Sequence, residues 1–190
     1  PRRGDEELLT LDEVLPRLLA GGKSIKLDLK ENGALIDAII AQVENAGVSD
    51  DALWFNGNAE DLDRSVFERL ASRFPRAIIQ CPIGFMVPMM PISPTVARER
   101  LEEFRAWGIN RLSIDWKIRD LTEAMTLLED WDWQVNLYNV SDLESFLKAV
   151  LLQPRSITSD FNFPQWNYFG RGAGANRSHH SYALDPKASR

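Results

Sequence analysis

Ser24-Ile25-Lys26-Leu27-Asp28-Leu29-Lys30 alternates between apolar and charged residues. A strand with that period of two carries Ile25, Leu27 and Leu29 on one face and Lys26, Asp28 and Lys30 on the other. A helical pattern follows at once. Helices on both sides of the segment predict a parallel strand, and parallel strands are normally covered on both faces. Two lysines and an aspartate on a covered face are costly unless they pair, hold a metal or face a cavity. The segment is therefore the first candidate for chemistry.

Working outward, residues 11–19 read as a short helix with Thr10 as N-cap, Glu13 as its capping-box partner and Gly21-Gly22 as the stop. Strands are expected at 24–30, 53–56, 77–81, 111–117, 133–139 and 156–160, with helices near 33–46, 60–74, 95–107, 120–129 and 141–152 between and around them. Strands alternating with helices define an α/β chain with a parallel sheet. The Pro- and Met-rich loop 82–94 suits either an apolar cover over a site or a loop packed into the core. After Phe163 the composition changes, so residues 1–163 are expected as one domain and 164–190 as a Gly- and Ser-containing tail. The Gly170-Arg171-Gly172-Ala173-Gly174 run in that tail does not stand between a strand and a helix, as a phosphate-cradling loop should. His179 and His180 fall in the same tail and read as a solvated pair.

The other strands repeat the alternation. Ser113, Asp115 and Lys117 alternate with Leu112, Ile114 and Trp116; Gln134, Asn136 and Tyr138 with Val135 and Leu137; Thr158 and Asp160 with Ile157 and Ser159; Asn56 and Gln80 extend the set. Each strand offers an apolar face to helices and a polar face concentrated toward its C-terminal end. A doubly wound open sheet would penalise this in its central strands, whereas the inward residues of a closed barrel line an active-site mouth there. The expected fold class is thus α/β, a (β/α) TIM-type barrel. Such a barrel has eight parallel strands in about 250 residues. This chain of 190 supplies six, so about two βα units are missing, and the simplest place for them is before Pro1. Unpaired strand edges would then require an N-terminal segment or a second subunit to complete the barrel.

Composition narrows the chemistry. A net charge of −6 and a pI near 5.0 argue against a nucleic-acid surface. The sequence has no apolar run long enough for a membrane span. The single cysteine, Cys81, excludes an intrachain disulfide framework and reads as a small buried hydrophobe on a strand. Asp28, Asp115 and Asp160 are oxygen donors of the kind that hold Mg²⁺ or Ca²⁺, and Lys26, Lys30 and Lys117 suit a phosphate or another small anionic ligand. Asn56, Gln80, Asn136 and Tyr138 would complete the ligand contacts. The competing reading is an internal ion-pair network that only satisfies covered charges.

Three segments carry a family resemblance: Lys26-Leu27-Asp28-Leu29-Lys30, Val135 to Asp142, and Ile157-Thr158-Ser159-Asp160. In order and spacing they resemble the later strands of the glycerophosphodiester phosphodiesterase-like barrels. The menorin branch is the closer match, through Gly22 to Lys30 and the Trp54-Phe55-Asn56 strand. The resemblance implies that Asp28 is a metal-binding carboxylate, that Lys30 is the lysine beside the phosphate and the one catalytic candidate, and that Asp160 is the last-strand aspartate. Tyr138 stands where the diesterases usually have tryptophan. The family's catalytic histidines and Glu-x-Asp pair belong to the first two barrel strands, which this sequence lacks. A metal-dependent phosphodiesterase and a non-catalytic binding or adhesion module of the menorin kind both remain compatible with that departure.

Overall fold

The computed structural model describes residues 9–161, together with Trp166–Asn167 and Ser181–Tyr182, which form a short antiparallel pair. The glycine-rich run and both histidines lie outside the described residues. The strands are β1 (Ile25–Leu29), β2 (Leu53–Gly57), β3 (Ile78–Pro82), β4 (Arg111–Asp115), β5 (Val135–Val140) and β6 (Ser156–Ser159). The helices are α1 (Leu11–Ala20), α2 (Ala34–Asn45), α3 (Arg64–Arg73), α4 (Pro94–Ala106), α5 (Leu121–Asp130) and α6 (Leu143–Val150).

All six strands are parallel and lie in sequence order, β1-β2-β3-β4-β5-β6. Strand β1 is at the edge. An open doubly wound sheet would place it between later strands, so the order selects the barrel. The sheet is also curled. Strand neighbours are about 4.8 Å apart, so a flat six-stranded sheet would hold its edge strands roughly 24 Å from each other. Residues of both β1 and the β6 end nevertheless line one cavity of about 470 Å³. The architecture is a partial (β/α) barrel. Among the described residues β1 pairs only with β2 and β6 only with β5, which leaves one free edge on each.

The outward strand residues supply the core: Leu29, Phe55, Ile79, Cys81, Leu112, Ile114, Val135 and Leu137 are all buried. Helices cover them with Ile36, Val43, Phe67, Leu70, Leu101, Phe104 and Leu128, also buried. Burying one such side chain contributes about 1.5–3 kcal/mol. Loop 82–94 belongs to this layer, because Ile83, Met86, Val87 and Met90 are buried under it. It is part of the core, and of its residues only Pro82 reaches the cavity. At α1 the Glu13 carboxylate accepts from both the Thr10 amide and its hydroxyl, as the capping pattern predicts.

Cys81 is fully buried on β3, and burial pushes its thiol pKa up to about 12. The thiolate is the reactive form. A disulfide-exchange reagent at pH 8 is expected to leave Cys81 unmodified in the native protein and to label it only after unfolding. Labelling of the native chain on the mixing timescale would contradict its placement.

Candidate functional site

The cavity opens at the C-terminal ends of the strands and is lined by Lys26, Asp28, Lys30, Asn56, Gln80, Tyr138 and Asp160, with Pro82, Ser113, Asn139 and Thr158. Seven of the ten predicted site residues share it. Asp28, Asn56 and Gln80 stand in register across β1, β2 and β3. Asn56 Nδ2 donates to Asp28 Oδ1 at 2.7 Å, and Gln80 Nε2 donates to Asn56 Oδ1 at 2.6 Å. Lys30 Nζ lies 2.8 Å from the other Asp28 oxygen.

These contacts shift the titrations. Partial burial pushes the Asp28 carboxyl up, but hydrogen bonds from Lys30 and Asn56 and the charges of Lys30 and Lys26 outweigh it, so the group is held below its usual range. The stabilisation from that pairing is present above the ordinary carboxylate pKa and is lost as pH falls through the lowered one. Half-burial brings Lys26 below the ordinary lysine range, against an opposing pull from Asp28. Its ammonium sits over the Trp54 ring, 4.8 Å from the centroid. Burial, then the Asp115 charge, pushes the Tyr138 phenol up.

Three predicted residues do not join the cavity. Strand β4 ends at Asp115, where Trp116 and Lys117 turn and the Lys117 amide donates to Asp115 Oδ1 at 2.8 Å. Lys117 is exposed outside the site. Asp115 is held by Asn139 Nδ2 at 2.6 Å. Asn136 is fully buried and hydrogen-bonds Ser156 and Thr158. It braces β5 against β6 from within.

Of the three aspartates, Asp28 and Asp160 line the cavity and Asp115 does not. Asp115 is in register with Tyr138, which lines the cavity, but the Asp115 carboxylate is taken up by Asn139 and the Lys117 amide. Among the described residues no group of three or more His, Cys, Asp or Glu side chains is placed to hold a metal ion. A hard cation takes six or more oxygen donors, whereas both Asp28 oxygens already accept from N–H groups. The described residues do not fit a metal by themselves.

Nor is the charged face of β1 covered. The Lys30 and Asp28 side chains are 71% and 52% exposed, because β1 has no strand on its outer edge among the described residues. Exposed pairs contribute about 0–1 kcal/mol. Asp28→Asn is accordingly expected to cost less than about 1 kcal/mol in a denaturant melt, where a covered pair would lose about 3–5 kcal/mol.

The alternation missed Arg111, which is 6% exposed and in register with the cavity residue Gln80. It donates to Gln134 Oε1 at 2.6 Å and to Ser156 Oγ at 3.1 Å, and packs 5.6 Å from the Trp54 centroid. Its parity with Ser113 was the available signal. Asn139 was missed because it sits at a positive φ of 61°, where the β5–β6 register shifts. A second cavity of about 500 Å³ lies at the other end of the strands, between α5 and residues 151–155, and holds none of the predicted residues.

No protein-family model and no curated protein sequence matches the chain. Solved structures do. One is named as a glycerophosphoryl diester phosphodiesterase from Silicibacter pomeroyi DSS-3, with a TM-score of 0.60 and 15% identity over 80% of this chain and 52% of that one. Another, of the same name from Agrobacterium tumefaciens str. C58, gives 0.63 and 14% over 80% and 60%. The chain spans little more than half the length of these proteins. At that identity the likeness establishes the fold, and it agrees with the barrel derived from strand order and curl.

Proposed function

We propose that the cavity binds a phosphate or phosphodiester group of a small ligand, as a phosphodiesterase-like barrel of the menorin kind would. The observation that carries this reading is two lysines, Lys26 and Lys30, on one wall of a cavity whose other polar lining is amides, a phenol, hydroxyls and the two carboxylates Asp28 and Asp160. Lysine ammonium groups bind phosphate through charge-assisted hydrogen bonds. Asp28 keeps Lys30 at the cavity, and a phosphate oxygen would share its protons.

Hydrolysis needs more than binding: a group to transfer protons and a means of neutralising the phosphate. Asp28 and Asp160 are the carboxylates at the cavity, and a Mg²⁺ or Ca²⁺ ion there would neutralise phosphate charge once further oxygen donors joined them. The second reading is therefore a binding or adhesion module without turnover. It is favoured by Asp28 being engaged by Lys30 and Asn56. Calorimetric titration with inorganic phosphate tests the shared claim, and the expected result is one saturable site that Lys30→Met weakens. Incubation with bis(p-nitrophenyl) phosphate, with and without Mg²⁺, separates the readings: p-nitrophenol release above that of Lys30→Met marks a hydrolase, and binding without release marks the module. Absence of any phosphate binding would dismiss both.

A further inference from the structure

The chain of side chains Asp28, Asn56 and Gln80 has a direction. A carboxylate only accepts hydrogen bonds, so the Asn56 amide must turn its nitrogen to Asp28, and it does, at 2.7 Å. The Asn56 oxygen then faces β3 and takes the Gln80 Nε2 proton at 2.6 Å. Gln80 is left with its oxygen, not its nitrogen, unengaged. Gln80 is 1% exposed, it lines the cavity, and its Oε1 has no partner among the described residues. A buried acceptor without a donor is unfavourable, and a ligand that supplies one recovers that loss.

We infer that Gln80 is a specificity-determining residue, whose carbonyl, aimed by Asp28 through Asn56, selects anionic ligands that carry a hydrogen-bond donor such as a hydroxyl. This rests on the phosphate reading and deepens it. The lysines recognise the charge, and any phosphate satisfies them. The Gln80 oxygen discriminates among phosphates, because a site built to pair with a donor rejects the analogue that lacks one. Asp28 acts at a distance, as a positioning residue: its charge fixes which way two amides point.

The test compares 2-hydroxyethyl phosphate with 2-methoxyethyl phosphate, which keeps the ether acceptor and loses the donor. Dissociation constants for the intact protein are measured by calorimetry. The hydroxylated compound is expected to bind about tenfold more tightly, equivalent to about 1.4 kcal/mol. Gln80→Met should bring that ratio to about one. Asp28→Asn should lower it as well, since asparagine at 28 both donates and accepts and no longer dictates the orientation of Asn56 and Gln80. Position 28 is half-exposed, so this variant keeps the test available if Gln80→Met fails to fold. Equal affinities in the unaltered protein, or a preference that survives either variant, would overturn the inference and leave the phosphate reading standing. Equal affinities would point to a donor from within the fold, such as Arg111, the register neighbour of Gln80. Failure of both compounds to bind would remove the phosphate reading and this inference together.

Discussion

Gly108→Ala is expected to lower the stability of the domain by about 2–4 kcal/mol, through two independent costs. Gly108 follows the last turn of α4 at a φ of +89°, a left-handed conformation that disfavours any residue with a Cβ. A Cβ built there would stand 2.2 Å from the Cβ of Ala71 on α3, with the Phe67 carbonyl oxygen at 3.9 Å. The neighbour cannot swing aside, because Ala71 has no side chain beyond that atom and its backbone is inside a helix. Either α3 or the α4–β4 turn must move, in a region that also holds the fully buried Phe104 packed on Trp107 at 5.0 Å between centroids. Gly47→Ala supplies the control. Its φ is +67° but nothing lies within 4 Å of the added atom, so it should cost only about 1 kcal/mol. In a thermal melt the two variants should differ by several degrees, at about 2–4 °C per kcal/mol for a domain of this size. Equal melting temperatures would mean that α3 and the α4–β4 turn do not approach as closely as described.

The alternation over residues 24–30 was enough to place β1, and its repetition over later strands was enough to choose a barrel, because a period of two is a local property of the backbone. Curl and stagger are not local. Asp28, Asp115 and Asp160 share a parity, yet only Asp28 and Asp160 line the cavity, while the two Asp115 oxygens accept from Asn139 and from the Lys117 amide. No single-strand pattern contains that difference. Lys117 failed for a related reason: the alternation runs on through Trp116 and Lys117, but the chain turns after Asp115, and the Asp115 carboxylate caps the turn through the Lys117 amide. Arg111 carries no comparable signal, since a long cation at the start of a strand usually reaches solvent. Here it lies across the concave face from Trp54 on β2 to Ser156 on β6, a span that exists only because the sheet is curled.

Removing both cavity lysines should have the largest effect on binding. A hydrogen bond to a charged group contributes about 1.5–3 kcal/mol, so Lys26→Met with Lys30→Met should cost about 3–6 kcal/mol of phosphate affinity, roughly a 10²–10⁴-fold rise in dissociation constant. Methionine keeps the aliphatic stem, so the contact of residue 26 with Trp54 retains its apolar part. The melting temperature should hardly change, because Lys30 is exposed and Lys26 is held below the ordinary lysine range by burial. A group with a lowered lysine pKa is easier to do without than one stabilised by its partners. The same shift predicts a pH profile. Phosphate favours the charged form of Lys26, so affinity is full while Lys26 is protonated and falls as pH rises through its lowered pKa, earlier than for an ordinary lysine. In Lys26→Met that early alkaline fall should be lost, while in Lys30→Met it should stay. If the double variant binds phosphate as tightly as the unaltered chain, the anion site is not on β1. A phosphate affinity with the same alkaline fall in Lys26→Met would exclude Lys26 alone and leave the contact to Lys30.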